Sequence, residues 1–204
     1  MMTTLEIALA LGLLGAEPAP PCARITVRTL NVVPVEKEVL ERARAVVEKV
    51  FRRSGTEITW IDCPLDGAPS CSTPGGQAEI SLRIYRRSER TRRAIGVSTG
   101  GLALPGDGAG IVHLHYDRVE EISRGGTVPV DLALGITAAH EFGHLLIGPA
   151  HSNLGVMRAN LGVTDWHDAA QGALLFDRRQ SSVLRKGACR QRPAEGELLT
   201  RGPQ

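Results

Sequence analysis

An α+β domain is the fold class this sequence predicts, from three observations: short stretches alternate between apolar and polar residues, a long amphipathic helix lies between the first two of them, and the stretch from Val130 to Ile147 is apolar almost all round. The chain has 204 residues, enough for one domain with a real core and too few for two comfortable ones. Apolar residues make up 42% and charged residues 23%, both near the globular average, so disorder is not indicated. Aromatic residues are only 3%, which makes the core mostly aliphatic.

Each element has its own signal. Arg24 to Val33 carries β-branched Ile25, Val27, Val32 and Val33 and stops at Pro34, which reads as a strand. A helix follows, with Val39, Ala43, Val46 and Val50 on one stripe flanked by Leu40, Val47 and Phe51; charged residues fill the rest, and Ser54-Gly55 ends it. Thr56 to Asp62 and Glu79 to Arg86 alternate as strands, the second with Ile80, Leu82 and Ile84 on one face. Ile95 to Leu104 is a glycine-interrupted strand or loop, and Gly110 to Tyr116 is a further strand. A short helix from Asp117 to Arg124 stops at Gly125-Gly126. Val130 to Ile147 is then a buried helix, apolar almost all round, with a polar cluster at His140, Glu141 and His144. Two short helices follow, near Asp165 to Leu175 and Arg178 to Lys186, the second opened by a capping box of Asp177 with Gln180.

The first sixteen residues end in an apolar run from Ile7 to Ala16, the length of a secretory h-region and far short of the roughly 20 residues that span a bilayer. Residues 1–16 are therefore expected to be a signal peptide, although Glu6 stands where a positive residue should precede the run. Residues 17–24 form a short proline-rich leader, and 191–204 an expected disordered tail. Export to the periplasm or outside the cell follows, without stable membrane insertion. All four cysteines lie past the cleavage point, and four cysteines allow three pairings. Cys63 and Cys71 flank a turn-rich loop that a local bridge would close, which leaves Cys22 with Cys189 by elimination. No pair has the short spacing of a zinc ribbon. Net charge is +2, and five arginines crowd between Arg86 and Arg93. With no aromatic residue interleaved, that stretch reads as solvated, and no nucleic-acid partner is expected.

Chemistry concentrates at His140-Glu141-Phe142-Gly143-His144. Helical residues four apart differ by roughly 40° around the axis, so both imidazoles reach one ion. Glu141 points off the ligand axis, where it can take a proton from an attacking water. Gly148-Pro149 then breaks the helix and allows the chain to swing His151 back as a third ligand. Three histidines with an open fourth position are the donor set of a catalytic zinc, and one ion is expected. A buried helix also tolerates such polar groups only when they are bonded.

These residues resemble the signature of the metzincin clan of zinc metallopeptidases, HExxHxxGxxH followed by a methionine turn. Here His140 to His144, Gly148 and His151 are followed by Gly155-Val156-Met157, with one extra residue between His144 and Gly148. Over the longer stretch from about Ile25 to the second C-terminal helix, the chain is also similar to uncharacterised exported bacterial zincin-like proteins, which carry a like helix, a GIMR-type turn and paired cysteines around a loop. The resemblance implies a zincin-like catalytic domain over 25–190: a twisted mixed sheet with an antiparallel edge strand, a backing helix, a central active-site helix and C-terminal helices. It gives the third-ligand role to His151, the methionine turn to Met157 and the base to Glu141. It also makes Gly110 to Tyr116 the candidate edge for an extended peptide, with His113, Leu114, His115 and Tyr116 along it.

Two histidines of that strand, His113 and His115, share a face and are more simply partly exposed strand positions than a second metal site. Several clan members place a tyrosine just after the methionine, whereas Met157 is followed by Arg158-Ala159-Asn160, leaving Arg158 or Tyr116 as alternative electrophiles. Asp165 or Asp168 is a rival third ligand, though both suit a helix cap better. The function implied is a monomeric zinc endopeptidase acting on peptide or protein substrates. The alternative is a catalytically silent zinc protein that recognises extended peptides in the cell envelope.

Overall fold

The computed structural model describes residues 23–66, 71, 79–86, 96–99 and 110–189. In chain order the elements are β1 (Ala23–Asn31), α1 (Lys37–Arg53), β2 (Thr56–Cys63), β3 (Glu79–Tyr85), β4 (Gly96–Thr99) and β5 (Gly110–His115), then α2 (Tyr116–Ser123), α3 (Val130–Ile147), α4 (Val163–Gln171) and α5 (Arg178–Cys189). The strands form one sheet in the order β2-β1-β3-β5-β4. β1 pairs parallel with β2 and β3, β3 pairs parallel with β5, and β4 runs antiparallel to β5. The α+β pattern is therefore a mixed α/β layer.

Alternation decides which face of each strand is buried. Ile25 and Val27 of β1, Ile80, Leu82 and Ile84 of β3, and Val112 and Leu114 of β5 all point into one core and are at most 2% exposed. Side chains of this size stabilise by about 1.5–3 kcal/mol each when fully buried. α1 contributes Val39, Ala43, Val47, Val50 and Phe51 to the same core. Its end is set by Gly55, whose φ of 81° suits a residue without a Cβ. α1 and α3 approach so closely that a Cβ on Gly135 would lie 2.6 Å from the Ala43 carbonyl oxygen. On the opposite face of the sheet, the Arg28 guanidinium donates to Glu79 Oε1 at 2.7 and 3.0 Å, tying β1 to β3.

α3 is long and apolar enough to cross a membrane by length and composition alone, but 67% of it is buried inside this fold as the central helix. Its bounds coincide with the apolar stretch read from the sequence. Asp177 and Gln180 form the expected capping box: each backbone N–H donates to the other's side-chain oxygen, at 2.9 and 2.8 Å. Cys63 and Cys71 are joined by a disulfide across eight positions. Cys22 and the Cys189 side chain lie outside the described residues, as do the signal segment, the leader up to residue 22, the tail and most of the arginine-rich stretch; Ala23 and Arg24, read as leader, begin β1.

One expectation needs correction. The strand from Gly110 to Tyr116 is not at the sheet edge: β5 lies between β3 and β4, so both of its hydrogen-bonding sides are occupied. The edge on this side belongs to β4, a four-residue strand within the stretch read as a glycine-interrupted strand or loop. His113 and Leu114, paired on both sides, therefore cannot pair with an incoming peptide; Leu114 and His115 are buried, and Tyr116 begins α2.

Candidate metal centre

α3 positions the first two histidines. Asp131 favours its first turn and also accepts a hydrogen bond from Arg42 Nε of α1 at 2.7 Å, so the helix is anchored at the end away from the histidines. At the other end Gly148, with φ 124° and ψ 174°, takes the backbone out of helical geometry while its N–H donates to the His144 carbonyl at 3.2 Å. Pro149 cannot extend the helix, and the chain returns over it.

That return brings three imidazoles together. One ring nitrogen from each of His140, His144 and His151 lies within 4.8 Å of the others, and this is the single group of three or more such donors among the described residues. His140 and His144 face each other through Nε2 atoms 2.9 Å apart. Their other nitrogens are committed: His140 Nδ1 donates to the Val156 carbonyl at 2.8 Å, and His144 Nδ1 to the Gly148 carbonyl at 3.2 Å. Because a carbonyl can only accept, both Nδ1 atoms carry hydrogen, and in the neutral rings both Nε2 atoms present lone pairs to the same point. Two lone pairs this close repel unless a cation lies between them. Tetrahedral zinc with Zn–N of about 2.0–2.1 Å sets its donors about 3.3 Å apart, so the residues present fit that ion with small adjustments.

The electrostatics agree. Burial holds the His140 imidazole below its usual pKa, aided by the neighbouring His144 and His151 and opposed by the bond to Val156. The neutral form that a metal requires is thereby favoured. His151 is exposed, so the group opens to solvent on its side.

A turn beneath the helix holds the rest. Met157 is fully buried, and its Sδ lies against Gly143, between the two α3 histidines; a Cβ at Gly143 would come within 2.3 Å of that sulfur. Gly155 has φ 72°, and a Cβ there would lie 2.2 Å from the Leu175 carbonyl oxygen. The Val156 N–H donates to that same oxygen at 3.1 Å, the Ser152 N–H to the Met157 carbonyl at 2.9 Å, and the Arg158 N–H to the Gly155 carbonyl at 3.2 Å. The residue after His151 and the carbonyl that orients His140 are thus parts of one short turn.

Glu141 is buried beside His140, 8% exposed. Asp165 is not a metal donor: its carboxylate accepts from the Gly162 N–H at 2.8 Å to cap α4, and from Arg158 Nη1 at 2.8 Å to each oxygen. The Gly162 bond, then Arg158, hold it below its ordinary pKa against the effect of burial. Asp168 also stands outside the donor group. Arg158 is engaged by Asp165, and Tyr116 lines a separate cleft with Glu36, Arg86 and Glu120. His113 and His115 belong to no donor group of three; each packs edge-on against Tyr85 instead. The Val156 carbonyl and the Arg158–Asp165 pair were not legible in these roles, since a main-chain oxygen leaves no mark in a sequence.

No protein-family model and no curated protein matches this sequence. Among solved structures, the fold resembles that of metalloproteinase-II from Bacteroides fragilis, with a TM-score of 0.53 and 11% identity, over 85% of this chain and 55% of that one. Archaemetzincin from Methanopyrus kandleri aligns at a TM-score of 0.48 and 13% identity, over 83% of this chain and 97% of that one. The chain thus spans about half the length of the Bacteroides protein, and identity this low shows a shared fold.

Proposed function

We propose that this chain is an exported zinc-dependent endopeptidase. The observation that carries the reading is the convergence of His140, His144 and His151, two of them with the tautomer fixed by a backbone carbonyl. The fold shared with a metalloproteinase supports it. The Cys63–Cys71 disulfide fits an oxidising compartment.

His140, His144 and His151 would hold a zinc ion, which would supply Lewis acidity for polarising a carbonyl and for easing loss of a proton from water. Glu141 is the general base: its carboxylate takes that proton as the water oxygen attacks the peptide carbon, then delivers it to the amine as the C–N bond breaks. Glu141 is buried, which shields it from bulk water. β4 has one strand neighbour among the described residues, so its outer side is the edge along which an extended peptide would add.

The test is metal analysis of the purified chain together with Glu141→Gln. One zinc per chain, retained in a variant that no longer cleaves a peptide library, is expected; cleavage by the variant at the parent rate refutes the mechanism. A second reading, a zinc protein without turnover, draws on Arg158, which stands just after Met157, where several clan members place a tyrosine, and whose Nη1 is turned to Asp165. Stoichiometric zinc without cleavage of any peptide by the parent would favour it.

A further inference from the structure

We infer that the Arg158–Asp165 ion pair positions the metal centre: it locks the turn that orients His140 and restrains His151. The inference rests on the three histidines being metal donors, and it concerns residues one step removed from them.

The connection can be traced atom by atom. The Val156 carbonyl fixes the ring of His140 at 2.8 Å. Ser152, next to His151, is bridged to Arg158 and donates its N–H to the Met157 carbonyl. Both tethers therefore run through residues 156–158, whose backbone is held from outside at two places. One is the Val156 N–H bond to the Leu175 carbonyl. The other is the Arg158 side chain, whose Nη1 donates to both oxygens of Asp165. Asp165 is itself fixed, with a side chain 9% exposed that caps the first turn of α4 through the Gly162 N–H.

The pair is asymmetric. The Arg158 side chain is 40% exposed and can be solvated when its partner is removed, whereas the Asp165 carboxylate is nearly buried and cannot. Loss of Arg158 leaves a buried carboxylate short of its cation, and α4 or the turn must shift to hydrate it. Any shift of the turn carries the Val156 carbonyl and Ser152 with it, so His140 and His151 lose their common focus. A purely structural ion pair would lower stability without this consequence.

The experiment uses the full chain with zinc or cobalt alone as probe. Zinc affinity is measured by competition with a chromophoric chelator, the cobalt visible spectrum is recorded, and the His140 Nδ1–H resonance is followed by NMR in the metal-free protein. Arg158→Ala and Asp165→Asn should each bind zinc about ten- to hundredfold more weakly, broaden or shift the cobalt bands and expose the Nδ1–H to exchange. Arg158→Lys, which keeps the charge, should restore part of the affinity. The double variant should bind no more weakly than the weaker single one, because both act through the same turn. Arg28→Ala, which breaks the pair on the far face of the sheet, supplies a loss of stability unconnected to the turn. Zinc affinity and cobalt spectra unchanged in Arg158→Ala and Asp165→Asn, or lowered equally in Arg28→Ala, overturn the inference. Should Arg158→Ala not fold, Asp165→Asn and Arg158→Lys decide it on the same readouts. Failure of the parent to bind zinc sinks the metal reading and this inference together, whereas a parent that binds zinc but cleaves nothing leaves this inference intact.

Discussion

Replacing Gly143 by alanine sets two physical effects against each other. Within a helix interior, glycine to alanine removes a backbone-entropy cost and should stabilise by about 0.5–1 kcal/mol. The added Cβ, however, would lie 2.3 Å from Met157 Sδ, 3.2 Å from its Cε and 3.0 Å from Phe176 Cε1. Met157 is fully buried, and Phe176 is itself packed edge-on against Phe51 at 5.1 Å, so neither has solvent to move into. Overpacking of a filled site costs about 1–3 kcal/mol. The net expectation is a destabilisation of about 1–2 kcal/mol, and at about 2–4 °C per kcal/mol for a domain of this size the melting temperature should fall by several degrees. Thermal and urea unfolding of the metal-free protein measure it, and Met157→Ala in the same background should relieve part of the clash and give a non-additive cycle. A Gly143→Ala protein as stable as the parent, or more so, would show that Met157 does not press on the helix as described.

Three further perturbations follow from the same geometry. Gly155→Ala places a Cβ at positive φ and 2.2 Å from the Leu175 carbonyl oxygen; a loss of more than about 2 kcal/mol and weaker zinc binding are expected, and retention of both under chelator competition would count against the turn. Asp165 has its folded pKa depressed below 3.8, so its contribution is present above that value and lost as pH falls through the folded pKa; Asp165→Asn should flatten the acid limb of the stability profile, and superimposable limbs would refute it. Removal of the Cys63–Cys71 bridge, which closes a separation of eight residues, should lower stability by at most about 2.5 kcal/mol with zinc stoichiometry unchanged, since the bridge lies at the end of β2; loss of zinc would contradict that independence.

The sequence disclosed most where a period runs unbroken. α3 could be bounded at Val130 and Ile147 because the apolar run spans it and Gly148-Pro149 follows, and β3 because Ile80, Leu82 and Ile84 alternate cleanly. Strand order was another matter. Pairing is non-local, and nothing in Gly110 to His115 says that Gly96 to Thr99 will cover its free side. Asp165 illustrates a different limit: aspartate suits a metal, a cap or an ion pair equally well by type, and only the coordinates show it serving the last two at once.

The histidines supply the donors, but their aim comes from atoms common to every residue type, and this has a sharp consequence at Val156. Its carbonyl orients His140 and its N–H meets Leu175, whereas its side chain, fully buried, only fills space. Val156→Ala keeps both main-chain groups and removes two methyl groups, so a loss of about 1–3 kcal/mol of stability is expected with zinc affinity near that of the parent. Arg158→Ala, two positions on, should lower zinc affinity out of proportion to whatever stability it costs, because it frees the turn that aims the donors. If the two variants instead weaken zinc in proportion to their destabilisation, the centre is aimed by packing and not by the backbone of the turn.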